Sequence, residues 1–181
     1  MTCRFGTVEP VLIRRETAED VEAVYDVTSA AFAGPPGEVT EARLLTELRA
    51  CDAWLPGLSF VAVGGDAGRI AGHVVCTRGH VGPAPVLALG PLSVHPGHQG
   101  RGVGRALVHT VLGAADALDE PMVVLLGAPG YYERFGFRLA EEYGITPAVP
   151  EWRPHFQVRT LSAYDPGVRG AFAYAEPFDR V

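Results

Sequence analysis

The chain lacks lysine: in a sequence of 181 residues, all fifteen positions that hold lysine or arginine are arginine. A Walker-type phosphate loop requires a lysine before its serine or threonine, so this class of nucleotide site is excluded. Cysteine is scarce as well. Cys3, Cys51 and Cys76 form no Cys-x-x-Cys motif and no Cys/His cluster, which predicts reduced thiols, no metal site and a cytoplasmic protein.

Long apolar runs are also missing. No segment approaches the length of a membrane span, and residues 1–6 lack the apolar core of a signal peptide. The net charge of −6 argues against a general nucleic-acid surface, so we expect neither a membrane nor a nucleic acid as partner. Because 48% of the residues are apolar and no linker or repeat interrupts them, we expect one domain over residues 1–181.

The apolar periodicity predicts strands and helices along the whole chain. A first helix follows Thr17, a typical capping residue, with Val21, Val24, Tyr25 and Phe32 as its buried stripe. A second helix begins near residue 40 and turns Leu44, Leu45 and Leu48 inward, and strands are predicted at residues 11–14, 59–63, 70–76, 85–94, 122–126 and 156–161.

The most informative segment is glycine-rich and spans residues 99–104, Gln-Gly-Arg-Gly-Val-Gly. It follows the strand predicted at residues 85–94 and opens a helix. A turn in this position presents unpaired backbone N–H groups and the positive end of the helix dipole to a ligand. The pattern therefore predicts a phosphate or pyrophosphate site. The helix is indicated by an apolar stripe formed by Val103, Leu107, Val108, Val111, Leu112 and Ala115.

The residue types in this turn support an anion site. Each glycine costs about 1 kcal/mol relative to alanine in a helix interior, so three of them suit a place where a ligand touches bare backbone. Arg101 and Arg105 lie in the first helical turn, where the dipole disfavours cations unless an anion is bound. The dinucleotide fingerprint is excluded, because Leu107 stands where its third glycine should be. The alternative is an ordinary turn with two solvated arginines.

Two motifs in this order resemble the GNAT superfamily of N-acetyltransferases. Gln99-x-x-Gly102-x-Gly104 resembles the family's acyl-CoA pyrophosphate loop, and Tyr131–Phe137, Tyr-Tyr-Glu-Arg-Phe-Gly-Phe, is similar to its Tyr-Tyr-Glu-x-x-Gly-Phe segment. Further similarity to the YhbS-like branch covers nearly the whole chain and is carried by Gly72-His73, Leu89–Leu92 and the aromatic positions of residues 156–178.

This resemblance implies an α/β (α+β) architecture, the GNAT-type acyl-CoA N-acyltransferase fold. Its mixed central sheet has about six or seven strands, flanked by about four helices and splayed between the fourth and fifth strands. The resemblance also implies acetyl-CoA as cofactor, with coenzyme A as product and no metal. By position in the family's motifs, the cofactor-binding residues are Leu92, Ser93, Val94, Gln99, Gly100, Arg101, Gly102, Val103, Gly104 and Arg105.

Tyr132 matches the tyrosine that serves as general acid in many members of the family, and the resemblance implies that a backbone N–H near Val94 polarises the thioester carbonyl. The alternative for Tyr132 is a structural tyrosine. The general base stays open: Glu38, Glu41, His73, Ser93 and His95 are candidates, and a water chain is another. His98 either contacts phosphate or faces solvent.

The resemblance implies an acyl-CoA-dependent N-acyltransferase that transfers acetyl to a primary amine of a small molecule or peptide by direct attack. Two alternatives remain: a non-catalytic acetyl-CoA sensor of the same fold, and a transferase for a longer acyl group or a hydroxyl acceptor. The acceptor would be framed by the first two helices, the loop 33–37 and the loop 145–154. The acidic balance favours a cationic acceptor or an amino terminus, and the resemblance allows a homodimer.

Overall fold

The computed structural model describes residues 11–33, 40–64 and 68–180 of the protein. In these ranges nine strands form a mixed sheet and four α-helices pack on it. The strands are β1 Leu12–Arg15, β2 Ser59–Gly64, β3 Arg69–Val81, β4 Ala84–Val94, β5 Met122–Leu126, β6 Arg138–Leu139, β7 Ile145–Thr146, β8 Phe156–Thr160 and β9 Gly170–Ala173. The helices are α1 Val21–Ala31, α2 Thr40–Arg49, α3 Val103–Ala117 and the single turn α4 Pro129–Tyr132.

Seven strands follow the order β1-β2-β3-β4-β5-β8-β6, and β9 joins β3 to the short strand β7. The neighbours in the seven-strand path are antiparallel except for β4 and β5, which are parallel. The main path of seven strands agrees with the six or seven expected, and β7 and β9, which lie off this path, bring the total in the described ranges to nine. The predicted α/β architecture with a mixed open sheet is confirmed.

The parallel pair forms a fork. β4 and β5 pair only at Leu87 with Val123 and Ala88 with Val124, and the residues of β4 beyond Ala88 pair with β3 alone in the described ranges. In β4, Gly90 and Pro91 together face Val75 of β3, which is a β-bulge. The bulge bends β4 as it leaves β5, so the sheet opens at the predicted place.

The two faces of the sheet carry different helices. The apolar stripe of α3 packs on one face against Phe60, Ala62 and Val74, together with Phe135 and Phe137. The other face of these strands presents Val61 and Val75 to α1 and α2, through Val24 and Leu45. The start of α1 is held by Asp20, whose carboxylate accepts hydrogen bonds from the Thr17 N–H and hydroxyl at 2.8 and 2.9 Å.

The buried stripe predicted for the first helix is wrong at three of its four residues. Val24 is fully buried, but Val21, Tyr25 and Phe32 are between 38% and 40% exposed. The residues of α1 that pack inward are Val24, Val27 and Thr28, a narrower face than the apolar letters suggest. Residues 34–37 of the predicted loop lie outside the described ranges. No helix in those ranges is long and apolar enough to cross a bilayer.

Candidate active site

The glycine-rich turn is shaped by left-handed backbone. Gly100 and Gly102 have φ of 72° and 86°, a conformation that side chains other than glycine rarely adopt. No atom lies within 4 Å of a Cβ placed at either residue, so their backbone borders open space. Gly102 caps α3, which begins at Val103. The first N–H groups of a 15-residue helix therefore face this space without a side chain in front of them.

Gly104 is needed for a different reason. A Cβ at this position would lie 2.8 Å from the Tyr131 hydroxyl and 3.4 Å from Cγ2 of Val94. The close approach of these two side chains leaves room only for hydrogen. Gly104 thus joins the turn to the tyrosine segment that follows β5.

A groove of about 760 Å³ runs in front of the turn. Its walls include every predicted cofactor-binding residue except Ser93, namely Leu92, Val94 and the seven residues from Gln99 to Arg105. Ala31, Phe32, His98, Tyr131 and Arg134 complete the lining. Ser93 lies elsewhere: it is fully buried, and its hydroxyl is 2.9 Å from that of Thr28 on α1.

The backbone amide groups of β4 point alternately toward β3 and toward the fork. The His95 N–H donates to the Ala71 carbonyl of β3 at 2.9 Å. In an antiparallel pair, successive residues turn their N–H and C=O groups to opposite sides of the strand. Ser93 therefore bonds to β3, while the amide groups of Leu92 and Val94 point into the fork. The Val94 carbonyl accepts a hydrogen bond from the Gln99 side-chain amide at 3.0 Å.

The charge of this groove is positive. Arg101, Arg105 and Arg134 line it, and no carboxylate is among its described lining residues. The Arg134 guanidinium stacks over the Tyr131 ring at 5.0 Å from the centroid. Bare helical N–H groups and three arginines fit a pyrophosphate, and the open amides of Leu92 and Val94 fit an amide-bearing chain. These residues therefore fit coenzyme A.

A second cavity of about 610 Å³ lies at the fork itself. Its floor comprises Leu89–Leu92 of β4 and Leu126–Ala128 at the end of β5. Phe32 and Leu92 belong to the walls of both cavities. The two cavities therefore form one trough that leads from the glycine-rich turn, along β4, into the fork.

Tyr132 lines the fork cavity and is largely buried. Burial, together with the neighbouring Tyr131, raises the pKa of its phenol to about 12, so the phenol stays protonated at neutral pH. No described residue forms a hydrogen bond with its hydroxyl, which leaves the proton available to a ligand. The ring packs on Gly127, where a Cβ would come within 2.5 Å of it.

The structure separates the candidate bases. Glu41 lines the fork cavity, whereas Ser93 and His73 are fully buried outside it. His95 is exposed, and its Nδ1 accepts the Gly97 N–H at 3.1 Å. Glu38 lies outside the described residues. Within the described ranges, no group of three or more His, Cys, Asp or Glu side chains is placed to hold a metal ion.

His73 belongs to a buried polar cluster that the sequence did not reveal. Its Nε2 lies 2.9 Å from the Ser59 hydroxyl and 3.1 Å from Oε2 of Glu16, and Ser59 also donates to that oxygen. Arg49 donates to the other oxygen of Glu16. Burial alone would raise the pKa of Glu16, but the His73 and Ser59 hydrogen bonds and the Arg49 charge lower it to about 2.

This cluster is structural. A Ser-His-acid triad needs the acid and the serine on different ring nitrogens, whereas here both lie on Nε2 of His73. Burial also lowers the pKa of His73, against the raising effect of Glu16. The cluster fastens β1, β2 and β3 to α2 and takes no part in the trough.

Several lining residues were missed in the sequence. Arg134 stood within a recognised motif but carried no predicted role. Trp152 lies in the predicted acceptor loop 145–154, and Tyr174 and Phe178 lie in the late aromatic pattern, yet only the fold brings them to the cavity. Trp152, Tyr174 and Phe178 line the fork cavity together with Phe32. The spacing Phe172-x-Tyr174 was the available signal, because alternate strand residues share a face.

Comparison with known proteins gives a consistent picture. Residues 12–140 match the family model described as an acetyltransferase (GNAT) domain. The uncharacterized N-acetyltransferase YhbS of Escherichia coli is 32% identical over 174 residues, which cover 94% of this chain and 99% of YhbS. A second Escherichia coli protein, the uncharacterized N-acetyltransferase YjhQ, is 29% identical over 87% of this chain and 88% of its own length.

Solved structures agree. The crystal structure of Escherichia coli YhbS in complex with CoA superposes with a TM-score of 0.86 at 30% identity, covering 95% of this chain and 93% of that one. The structure of a GNAT family acetyltransferase from Brucella melitensis in complex with acetyl-CoA gives a TM-score of 0.76 at 31% identity. It covers 94% of this chain and 99% of the Brucella chain.

Proposed function

Because the chain belongs to the GNAT acetyltransferase family, we propose that it transfers the acetyl group of acetyl-CoA to a primary amine of a small molecule or peptide. One observation carries this proposal. A single trough joins a cationic, glycine-rich helix start to a fork in the sheet that holds a protonated tyrosine, whose hydroxyl has no hydrogen-bond partner among the described residues. The CoA and acetyl-CoA in the two similar crystal structures support the choice of cofactor.

The turn would hold the pyrophosphate. Backbone N–H groups from Gly100 to Gly104 provide donors, and Arg101, Arg105 and Arg134 provide charge. The carbonyl of Leu92 and the N–H of Val94 would pair with the amides of the pantetheine arm, as a neighbouring strand would. Ser93, although predicted to bind the cofactor, would support the site indirectly, because its hydrogen bond with Thr28 fixes β4 to α1.

Acetyl-CoA supplies an activated acetyl group at the fork. The Leu92 N–H, on the β4 residue that lines both cavities, points into the fork and would donate to the carbonyl oxygen as negative charge develops there. The Tyr132 hydroxyl would donate a hydrogen bond to the sulfur and act as the general acid for the thiolate that leaves. Its pKa of about 12 keeps this proton in place at neutral pH, so the role calls for no prior activation.

The amine would attack the carbonyl directly after losing a proton. Among the sequence candidates that the structure describes, Glu41 alone lines the fork cavity, which makes it the candidate to receive the ammonium. The free thiols of Cys51 and Cys76 fit the reducing cytoplasm that the sequence favours. The alignment with YhbS over 94% of the chain supports one domain over residues 1–181.

Calorimetric titration with acetyl-CoA, with CoA and NAD as comparators, tests the cofactor assignment. We expect micromolar binding of both thioester and thiol forms and no heat from NAD. A folded protein that binds neither form would overturn the proposal. Release of free CoA thiol in the presence of an amine then tests transfer, and binding without release from any amine would favour a sensor of acetyl-CoA instead.

A further inference from the structure

The lining of the fork cavity is rich in aromatic side chains. Five aromatic rings border the cavity, those of Phe32, Tyr132, Trp152, Tyr174 and Phe178. Leu44 and Leu126 add apolar surface, and Thr40 adds a hydroxyl. Glu41 contributes the one carboxylate among the described lining residues, and no arginine or histidine is among them.

Trp152, Tyr174 and Phe178 form an aromatic wall that is anchored in the core. Tyr174 packs edge to face against the buried Phe172, with ring centroids 4.6 Å apart. Trp152 and Phe178 each pack on Tyr174, at 6.4 and 4.7 Å between centroids. Rings held in this way are in place before a ligand arrives, so a ligand that stacks on them loses little free energy to ordering the wall.

Two phenol hydroxyls in the cavity have no hydrogen-bond partner among the residues that the structure describes. Neither the Tyr132 hydroxyl nor the Tyr174 hydroxyl forms a hydrogen bond with any described residue, and burial raises the pKa of Tyr174. Tyr132 is assigned to the sulfur in the proposed reaction. Tyr174 remains as a neutral donor or acceptor on the aromatic wall.

The charge of the cavity selects among amines. Ring faces attract a cation, and one carboxylate can neutralise one ammonium. An acceptor that carries its own carboxylate, such as a free amino acid, meets no cationic side chain in the described lining. A polyamine would bring further ammonium groups against apolar walls, where an unpaired charge is costly.

We propose that the acceptor is an amphiphilic monoamine, with a single ammonium placed at Glu41 and an aromatic or bulky apolar body stacked on Trp152, Tyr174 and Phe178. This inference rests on the proposed acetyl transfer and specifies its acceptor. In the reaction, the amine nitrogen bonds to the acetyl carbon while the carbon–sulfur bond breaks. The ammonium loses two protons in the overall reaction. One is accounted for by the S–H of the CoA product, and the other passes to solvent.

The full chain, saturated with acetyl-CoA, can be tested against four matched amines by thiol release. We expect 2-phenylethylamine to exceed ethylamine in kcat/KM by about 10- to 100-fold, since the ring buries apolar surface against the wall. Phenylalanine, which adds a carboxylate, and spermidine, which adds charges, should each fall below 2-phenylethylamine by about tenfold or more.

Two variants locate the recognition. Glu41→Gln should raise KM for 2-phenylethylamine by about tenfold or more, because a charged partner is lost, and should leave KM for acetyl-CoA unchanged. Glu22→Gln is the matched control, since Glu22 also lies in the first turn of a helix but is exposed and outside the cavity. Phe178→Ala should remove most of the preference for 2-phenylethylamine over ethylamine, whereas Tyr25→Ala, at an exposed ring outside the cavity, should not.

The outcomes separate the two proposals. Failure of a folded protein to bind acetyl-CoA would overturn the proposed function. Binding of acetyl-CoA with equal or better turnover of ethylamine, phenylalanine or spermidine would overturn the acceptor class and leave acetyl transfer standing. Binding without turnover of 2-phenylethylamine would also overturn the acceptor class. An unchanged KM in Glu41→Gln would remove Glu41 from recognition.

Discussion

Tyr131 and Tyr132 pack edge to face with ring centroids 4.9 Å apart, and each lines a different cavity of the same trough. Tyr131 borders the cationic groove, where Arg134 covers its ring. Tyr132 borders the fork. Adjacent residues of one short helical turn therefore serve the two ends of the proposed cofactor.

Replacement of Tyr132 by Phe should separate binding from chemistry. We expect kcat for acetyl transfer to fall by about 100-fold, the scale of a lost proton donor, while acetyl-CoA affinity stays near normal. Stopped assays of thiol release with calorimetric titration measure both quantities. Tyr131→Phe is the matched control and should keep kcat within a few-fold. Equal kcat in Tyr132→Phe and the unmodified protein would remove this phenol from the reaction.

Replacement of Gly102 by Asp should weaken acetyl-CoA binding by at least about tenfold, because a carboxylate would face the pyrophosphate beside bare N–H donors. Gly113→Asp provides the control. Gly113 lies on the same helix, is exposed and has no atom within 4 Å of its Cβ position, and its variant should bind normally. Calorimetric affinities that are equal in the two variants would contradict the assignment of the loop.

The contact between Gly104 and Tyr131 predicts a rescue. Gly104→Ala should lower the melting temperature and weaken cofactor binding, because the new methyl group would lie 2.8 Å from the Tyr131 hydroxyl. In the Tyr131→Phe background this hydroxyl is absent, so the same substitution should be much less disruptive. A double-mutant cycle on thermal stability gives the coupling. Additive effects would mean that the two positions do not touch.

The Thr28–Ser93 hydrogen bond predicts a structural role for Ser93. Ser93→Ala or Thr28→Val alone should lower the free energy of unfolding by about 1–3 kcal/mol, because each leaves a buried hydroxyl unpaired. The double variant should lose less than the sum of the two. Acetyl-CoA affinity of Ser93→Ala should stay unchanged, and a large loss of affinity would instead place this hydroxyl on the cofactor.

The buried cluster predicts acid sensitivity. His73 has a folded-state pKa below its usual 6.5, so the unfolded chain binds its proton first and stability falls as the pH drops below about 6.5. The folded-state pKa of Glu16 is about 2 rather than 4.5. Its contribution is complete above pH 4.5 and is lost between pH 4.5 and 2.

Denaturation of Glu16→Gln across this pH range checks the assignment. The variant should be less stable than the unmodified protein by about 3 kcal/mol near neutral pH, because Arg49 loses its buried partner. This difference should shrink as the pH approaches 2. Glu176→Gln, which removes an exposed ion pair with Arg180, should change stability little at any pH. A Glu16→Gln difference that does not vary with pH would contradict the depressed pKa.

Much of the cofactor side could be predicted because its signals are local. The glycines, arginines and flanking strand of residues 85–105 stand next to one another in sequence, and nine of the ten residues predicted to bind the cofactor line the groove. Ser93 lies outside the groove, with its hydroxyl against Thr28 of α1, because strand alternation depends on register rather than on residue type. Phe32 was read as core from its helical spacing, but α1 ends one residue before it.

The first two helices and the loop 145–154 were expected to frame the acceptor, but the convergence of the aromatic side chains and the buried cluster could not be predicted, for a common reason. Trp152, Tyr174 and Phe178 come from separate stretches that only the tertiary fold brings together. Ser59 and His73 lie on β2 and β3, and Glu16 directly follows β1, so the pairing of these three strands sets their contacts. No short-range pattern marks such groups, because any one of them would also be an ordinary strand residue.

The division of the trough between stretches of chain has an evolutionary consequence. The cofactor groove is built mostly from residues 92–105 with Tyr131 and Arg134, whereas the acceptor side of the fork cavity is supplied by α2, by residue 152 and by residues 174–178. Substitutions in the second set can remodel the acceptor cavity without disturbing the first. Paralogues of this chain could therefore diverge in the amine they accept while sharing one donor, and exchange of residues 150–180 between them is a direct route to new selectivity.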